Sequence, residues 1–330
     1  MWSKYFVSIC CIALFSASCN SPKSNNAVST GAGSHILVVC NNSIWESETG
    51  DSLRSFFGAS MKGLSKPENE FILQHVSESE LSDELRLQHN ILMVETEPDI
   101  KKSKIETLKD VWANPQRVIK IKAASDTALS SLFESHKSGI IELFRQSERT
   151  VYGVHAAKTR NKTTEADIEE QLGIKMLVSG DFAIQRLADN LVFLHYDSAS
   201  ALLGFFITTY SYSDTSLLNP DSILGTRNRC SKLISELNKG VYTESSVNKA
   251  VTEKLLYKEL LAFETRDSWF ADNDSTSGSF INYTIVDAPR HRIVMFDGVV
   301  DSKGKPQRDF IRQFESIFWE AAFTDPDTKR

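Results

Sequence analysis

At 330 residues, with 41% apolar and 24% charged, the chain has the composition of ordinary globular material and length enough for one large or two medium domains. Its formal charge of -6, with no long Lys/Arg block, argues against nucleic acid as a partner, because tracking a phosphate backbone requires a basic surface. The same composition excludes collagen-like, coiled-coil and disordered classes.

The first 18 residues differ in kind from the rest. Lys4 supplies a short positive region, "YFVSICCIALF" (residues 5–15) an apolar run of 11 residues, and "SASC" small residues ending at Cys19. Eleven residues rise only about 16 Å as a helix, against about 30 Å of hydrocarbon, so the run reads as an export signal and not as a span. Small residues followed at once by a cysteine resemble the lipobox of bacterial lipoproteins, where cleavage precedes a diacylglycerated cysteine. Ser16 stands where leucine is usual in that motif. On this reading residues 1–18 are the signal and Cys19 the lipid attachment site, its acyl chains contributing about 0.8 kcal/mol per buried methylene. The alternative is ordinary signal cleavage, which would release a soluble protein. "NSPKSNNAVSTGAGS" then reads as a flexible tether, so that residues 19–34 form the lipidated cysteine and tether and the fold begins at His35. Beyond residue 34 no apolar stretch of about 18 residues recurs, leaving the lipid as the sole anchor.

The first half, residues 35–160, alternates element types. "HILVVC" predicts a buried strand, Gly50 to Gly63 a short helix with Asp51 as its cap, "FILQHV" a strand, "SESELSDELRL" a helix opened by a capping box, and "NILMVET" a third strand. "RVIKIKA" alternates as a strand, and the stripe Leu129, Leu132, Phe133, His136, Ile140, Leu143 and Phe144 predicts a long helix from about Asp126 to Arg149. The mixed-sign runs "DIKKSKIETLKD" and "TRNKTTEADIEEQ" read as solvated surface.

The second half, residues 161–330, is richer in hairpins. "GDFAIQRLADNLVFLHYD" predicts two strands around Ala188, Asp189 and Asn190, and "ALLGFFITTYSYSD" a third. "NPDSILGTRNRCSKLISELNKG" is a helix with Pro220 at its first position and Gly240 beyond its end. "SFINYTIVDAPRHRIVMFDGVVD" is a hairpin turning at Ala288, Pro289 and Arg290, followed by a helix from Pro306 to about Phe323 buried through Phe310, Phe314, Ile317, Phe318 and Ala321. The fold class is therefore α+β: a mixed α/β N-terminal half and an antiparallel meander covered by helices on one face in the C-terminal half, the two either separate or one compact unit.

These elements carry a family resemblance. The lipobox and tether, "HILVV" with Trp45 and "GDSL" after it, "DVWANPQ", "NPDSILGTR", "TRDSW" and "FINYTIVD" leading through "RIVMFDGVV" to an amphipathic helix together resemble the Bacteroides-type lipoproteins of domain-of-unknown-function family 4837. That resemblance implies fold unity and an outer-membrane location with the body on the periplasmic side, since the acidic cluster that retargets such lipoproteins to the surface is absent from "NSPKSNN". It brings no assigned activity.

Chemistry-bearing residues are sparse. "GDSL" at residues 50–53 is the signature of a large class of serine esterases and lipases, which makes Ser52 the one candidate nucleophile. The motif starts ten residues beyond Cys40, and Asp287 and His291 are spaced one residue too far for the usual acid and base. Cys40 and Cys230 both read first as small buried hydrophobes, although an oxidising compartment would allow a disulfide between them. The scattered histidines give no metal-ligand spacing, and no cofactor is implied. Trp45, Trp112, Trp269, Tyr210 and Tyr212 are the candidate lining of a ligand groove or docking surface, with core packing as their alternative role. The resulting expectation is a non-catalytic binding or accessory lipoprotein, whose partners are the membrane through its lipid and an envelope protein or small-molecule ligand. The alternatives are a serine hydrolase using Ser52 and a structural subunit of an envelope complex.

Overall fold

The computed structural model describes residues 27–197, 201–238, 243–244, 250–271, 277–301 and 304–324. The signal and Cys19 lie outside the described residues. Within them the chain is α+β, with a mixed five-stranded sheet, an eight-stranded antiparallel sheet and a two-stranded ribbon.

The first sheet has the order β2 (Ile72–Val76), β1 (His35–Val39), β3 (Asn90–Thr96), β5 (Arg117–Ala123) and β4 (Lys104–Lys109). Its pairings are parallel except at β4. Because side chains alternate along a strand, Ile36, Val38, Leu92 and Val94 enter one core while Leu37, Val39, Ile91 and Met93 enter another. A strand buried on both faces must be apolar throughout, which is why these segments are legible as continuous runs. The short helix α1 (Asn42–Trp45) leads into α2 (Glu48–Phe57), which covers the first core together with α3 (Asp126–Lys158). The other face carries loops and the 3-10 turns Glu78–Glu80 and Leu85–Leu87, where a continuous helix is expected from "SESELSDELRL". The Ser77 and Glu80 capping box does form, but it closes a single turn.

At α2 the structure corrects the sequence reading. The helix opens at Ser47, whose side chain accepts from the Thr49 amide, and Asp51 lies inside the first turn paired with Arg54. Gly50 is inside the helix too, and a β-carbon there would stand 2.0 Å from the Trp45 carbonyl oxygen, so only glycine lets α1 abut α2 this closely.

The second sheet runs β10 (Thr243–Glu244), β12 (Leu260–Ala271), β13 (Ser277–Asp287), β14 (Arg292–Asp301), β9 (Leu202–Ser211), β8 (Leu191–Asp197) and β7 (Ala183–Ala188), with β11 (Val251–Tyr257) also on β12. Phe205, Ile207, Ile281, Tyr283, Val294 and Phe296 share the face covered by α4 (Lys162–Leu172) and α6 (Arg308–Glu320). The expectation of helices on one face fails here. α5 (Pro220–Asn238) packs through Ile223 against Phe206 and Met295 on the opposite face. β15 (Ala322–Phe323) pairs with β6 (Ile174–Lys175) beyond the end of α6.

Two features tie the halves together. α3 has 33 residues and so extends about 50 Å, long enough to cover the first sheet and then run on to pack against α6. The second feature is the segment before β1, which the sequence assigns to the tether but which already belongs to the body from Ala27. Asn114 donates to the Ala27 carbonyl, Ser29 to that of Asn114, Thr30 to that of Leu87 and His89 to that of Thr30. The segment ends at buried Ser34, whose amide donates to Glu148 Oε2 at 2.9 Å. The other Glu148 oxygen accepts from Asn90 Nδ2 at 2.7 Å and meets His89 Nε2 at the same distance. Burial alone would lower the His89 pKa, but the Glu148 carboxylate outweighs it and holds the imidazolium above its ordinary value.

Two predictions follow from these contacts. A protein starting at residue 35 should be less stable than one starting at residue 27 by roughly 1–3 kcal/mol, because Glu148 loses an amide donor in a fully buried site; denaturant melts of the two would measure it. At the opening of α2, Ser47→Ala should cost about 1 kcal/mol, whereas Asp51→Ala, which removes an exposed ion pair, should stay within about 0.5 kcal/mol of the parent in the same melts.

Candidate functional site

The residues singled out by sequence do not converge. Ser52 is half-buried inside α2, its carbonyl accepting from Ser55, and among the described residues no histidine hydrogen-bonds to it. Asp287, the more distant candidate acid, is locked between Arg290 and Arg292 at 2.9 and 2.8 Å. Cys40 and Cys230 are both free thiols, which corrects the disulfide option: Cys40 packs in the core under the first sheet and Cys230 against the far face of the second. Burial pushes both thiols up to about 11, so neither is a ready nucleophile. No cluster of three or more metal-ligating side chains occurs among the described residues.

The aromatic candidates are distributed among packing clusters. Trp45 stacks on His75 with centroids 4.5 Å apart and carries Arg54 on its ring, whereas Trp112 packs on the opposite face of that sheet. Trp269 is buried beneath α5 with Leu224 and Phe280. Tyr210 and Tyr212 do meet, in a cluster with Leu218, Val286 and Ile293. These are packing positions, and no common groove joins all five.

A concave site lies instead where the halves meet. A cavity of about 730 Å³ is bounded by α3, α6, the strands β11 to β13, and the loop from α2 to β2. Each element contributes through its own periodicity. Glu142, Arg145 and Arg149 recur at helical spacing on α3, as do Arg312, Glu315 and Trp319 on α6. On β12, Glu264 and Arg266 are two apart and hence on one face, and Glu264 is paired directly opposite Tyr283 of β13. The loop is brought in by Gly63 at φ +75°, where a β-carbon would stand 2.3 Å from that of Arg266.

The charged groups form an alternating ladder. Arg145 holds Glu70 through two contacts, Nε to Oε1 at 2.6 Å and Nη2 to Oε2 at 3.0 Å. Arg312, 1% exposed, bridges Glu70 and Glu315 at 2.8 Å each, and Arg266 continues from Glu315 to Glu264. Arg149 donates through Nη2 to Glu142 at 2.7 Å and lies on the Trp319 ring, 4.7 Å from its centroid. Burial pushes the Glu315 carboxyl upward, but Arg312 and Arg266 overcome it and hold the group at about 2. Glu70 shifts downward in the same way, its burial outweighed by Arg145 and Arg312. Tyr283 moves well above its ordinary value, from burial first and then from Glu264 and Glu315, so its hydroxyl stays a neutral donor. The apolar part of the lining is Phe56, Met61, Ile141, Leu255 and Leu256, with the Lys62–Glu253 ion pair among them.

The comparisons with known proteins fit this two-part construction. Residues 160–319 match the family described as Domain of unknown function (DUF4837), and residues 29–155 match Domain of unknown function (DUF8532). The chain belongs to the DUF4837 family through its C-terminal half. No curated protein matches it. Among solved structures, the Saccharomyces cerevisiae Ran-binding protein Mog1p is similar at 9% identity and a TM-score of 0.30, over 46% of this chain and 91% of that one. A point mutant of Mog1 gives 9% and 0.30 over 47% and 93%. Likeness at that level carries no functional argument.

The ladder has a measurable signature. Glu315→Gln should destabilise the protein by about 3–5 kcal/mol, since it strips a partner from two guanidiniums that stay buried. In the parent, carboxylates with depressed pKa values contribute stability that is fully present above about pH 4.5 and lost as pH falls toward about 2, so denaturant melts should show a steep acid limb that is shallower in Glu315→Gln.

Proposed function

We propose that this protein is an envelope lipoprotein of Bacteroides type, held at the outer membrane by a lipid on Cys19 with its body on the periplasmic side, and that it acts by binding a small ligand in the cavity between its halves. The observation that carries the reading is the cavity itself, whose polar wall is fixed by ion pairs drawn from α3, α6, β12 and the loop after α2. A wall held in place before the ligand arrives loses little side-chain freedom on binding, which is what a binding site requires. The anchor rests on the sequence before residue 27. Among the described residues no helix is long and apolar enough to cross a membrane, which leaves attachment to the lipid in this reading.

Native mass spectrometry of the membrane-extracted protein tests both parts. The expected mass is that of a chain starting at Cys19 with diacylglycerol attached, plus a further non-covalent ligand that is lost when Ile141→Trp fills the cavity. A chain with no acyl group sinks the anchor, and the absence of any cavity-dependent adduct counts against the binding site. Covalent labelling of Ser52 by a fluorophosphonate, abolished in Ser52→Ala, would establish the hydrolase reading in their place.

A further inference from the structure

The hydrogen-bonding capacity of the cavity wall is unevenly spent. On the acceptor side, both oxygens of Glu70, Glu315 and Glu142 already face a guanidinium, and Glu264 and Glu253 each hold a cation through Oε1. On the donor side, Arg149 is 7% exposed, yet among the described residues only its Nη2 finds a hydrogen-bond partner. Its Nε and Nη1 are left over, on a cation that lines the cavity and has its plane set by Trp319. Arg312 Nε is fully buried without a partner, whereas the leftover Arg149 groups are not among the buried unpartnered atoms and so are open to solvent. An N–H of a guanidinium that opens to solvent can exchange water for an incoming acceptor, and an ionised acceptor makes the stronger bond. The apolar part of the lining is Phe56, Met61, Ile141 and Leu255, with Leu256 at 71% exposure presenting an apolar side chain to water on β11, and the nearby Lys62 is already paired with Glu253 at 2.7 Å.

We infer that the cavity takes an amphiphile with an oxyanion head, the head on Arg149 and the apolar body along Phe56, Met61, Ile141 and Leu256. This rests on the cavity being the binding site and is independent of the lipid on Cys19. A guanidinium that gives one Nη2 N–H to protein keeps its second Nη2 N–H, beside Nε–H or Nη1–H, as a two-donor edge that suits a carboxylate or a phosphate. Glu142, also on the cavity lining, takes one N–H of Nη2 and so fixes Arg149 while leaving one such edge.

Equilibrium dialysis of the full chain in a non-ionic detergent, against probes with the same eight-carbon tail, separates the outcomes. Octanoate and octyl phosphate carry the oxyanion from its two common sources, octyltrimethylammonium reverses the charge and octanol removes it. Micelle uptake cancels in the difference between the parent and Arg149→Gln. The expected result is saturable binding of at least one oxyanion probe, weakened at least tenfold in Arg149→Gln and largely retained in Arg149→Lys; which of the two binds tighter identifies the head. Should Arg149→Gln fail to fold, Leu256→Asp, at an exposed position, should weaken the oxyanion probes several-fold by placing a like charge beside the tail. Equal binding of octanol or of the cationic probe would overturn the oxyanion assignment and leave the cavity reading standing. No saturable uptake of any probe, together with no cavity-dependent adduct in the native mass, would overturn both.

Discussion

Arg312 holds the two halves of this molecule in one arrangement. Its guanidinium, buried on α6, reaches Glu70 from the segment before β2 and Glu315 on its own helix, and through them Arg145 on α3 and Arg266 on β12. Taking this many charges out of water costs several kcal/mol apiece, and apolar residues of the same volume would stabilise the junction at least as well. What a charged ladder adds is selectivity among arrangements: a shift of α6 by one turn along α3 would leave arginines and glutamates buried and unpaired, whereas a purely apolar face would slip at little cost.

The same constraint explains why a cavity persists at this junction. Guanidinium and carboxylate groups must meet end to end in planar contacts, and side chains that satisfy each other across a gap cannot also fill it. Tight packing resumes on either side, with Phe57, Phe71 and Phe144 clustered under the first sheet and Phe205, Phe314 and Phe318 under the second. The void is thus walled by two rigid cores and lined by groups whose positions are set before any ligand arrives, and it inherits its polarity from the groups that hold the halves in place.

The legibility of the fold tracks burial on both sides of a strand. β1, β3, β9, β13 and β14 are covered on both faces and announce themselves as apolar runs, and α6 does so by its stripe. β4 and α4 escape detection because each buries only one narrow face beneath mixed charges: Lys104, Glu106 and Lys120 stay at the surface around β4, and α4 shows Ile168 and Leu172 amid acidic residues. α3 runs nine residues beyond its expected end at Arg149 because its last turns pack around polar groups, Glu148 and Tyr152 among them, which hydropathy does not register. In the segment before β1, Ser, Thr and Gly read as a tether, yet the same residues suit a strap held by backbone hydrogen bonds alone, a distinction that composition cannot make.

The site was less legible than the fold, for a reason of distance along the chain. Glu70 and Arg312 stand 242 positions apart, and no local motif relates them. The signal present in the sequence is a conflict: Arg312 and Glu315 interrupt the stripe of Phe314, Ile317 and Phe318 on positions that helical geometry turns inward. A charge on the buried face of a helix demands an opposite charge from somewhere else in the fold, and here the demand is met from α3, from β12 and from the loop before β2. By contrast, "GDSL" was conspicuous because it matches a short pattern, and its parts turn out to serve packing: Gly50 admits the Trp45 carbonyl, Asp51 pairs with Arg54, and Leu53 enters the core. A short motif can satisfy a pattern by local packing alone, whereas two charges on the inward face of an amphipathic helix can be accommodated only by a complementary arrangement of the whole fold.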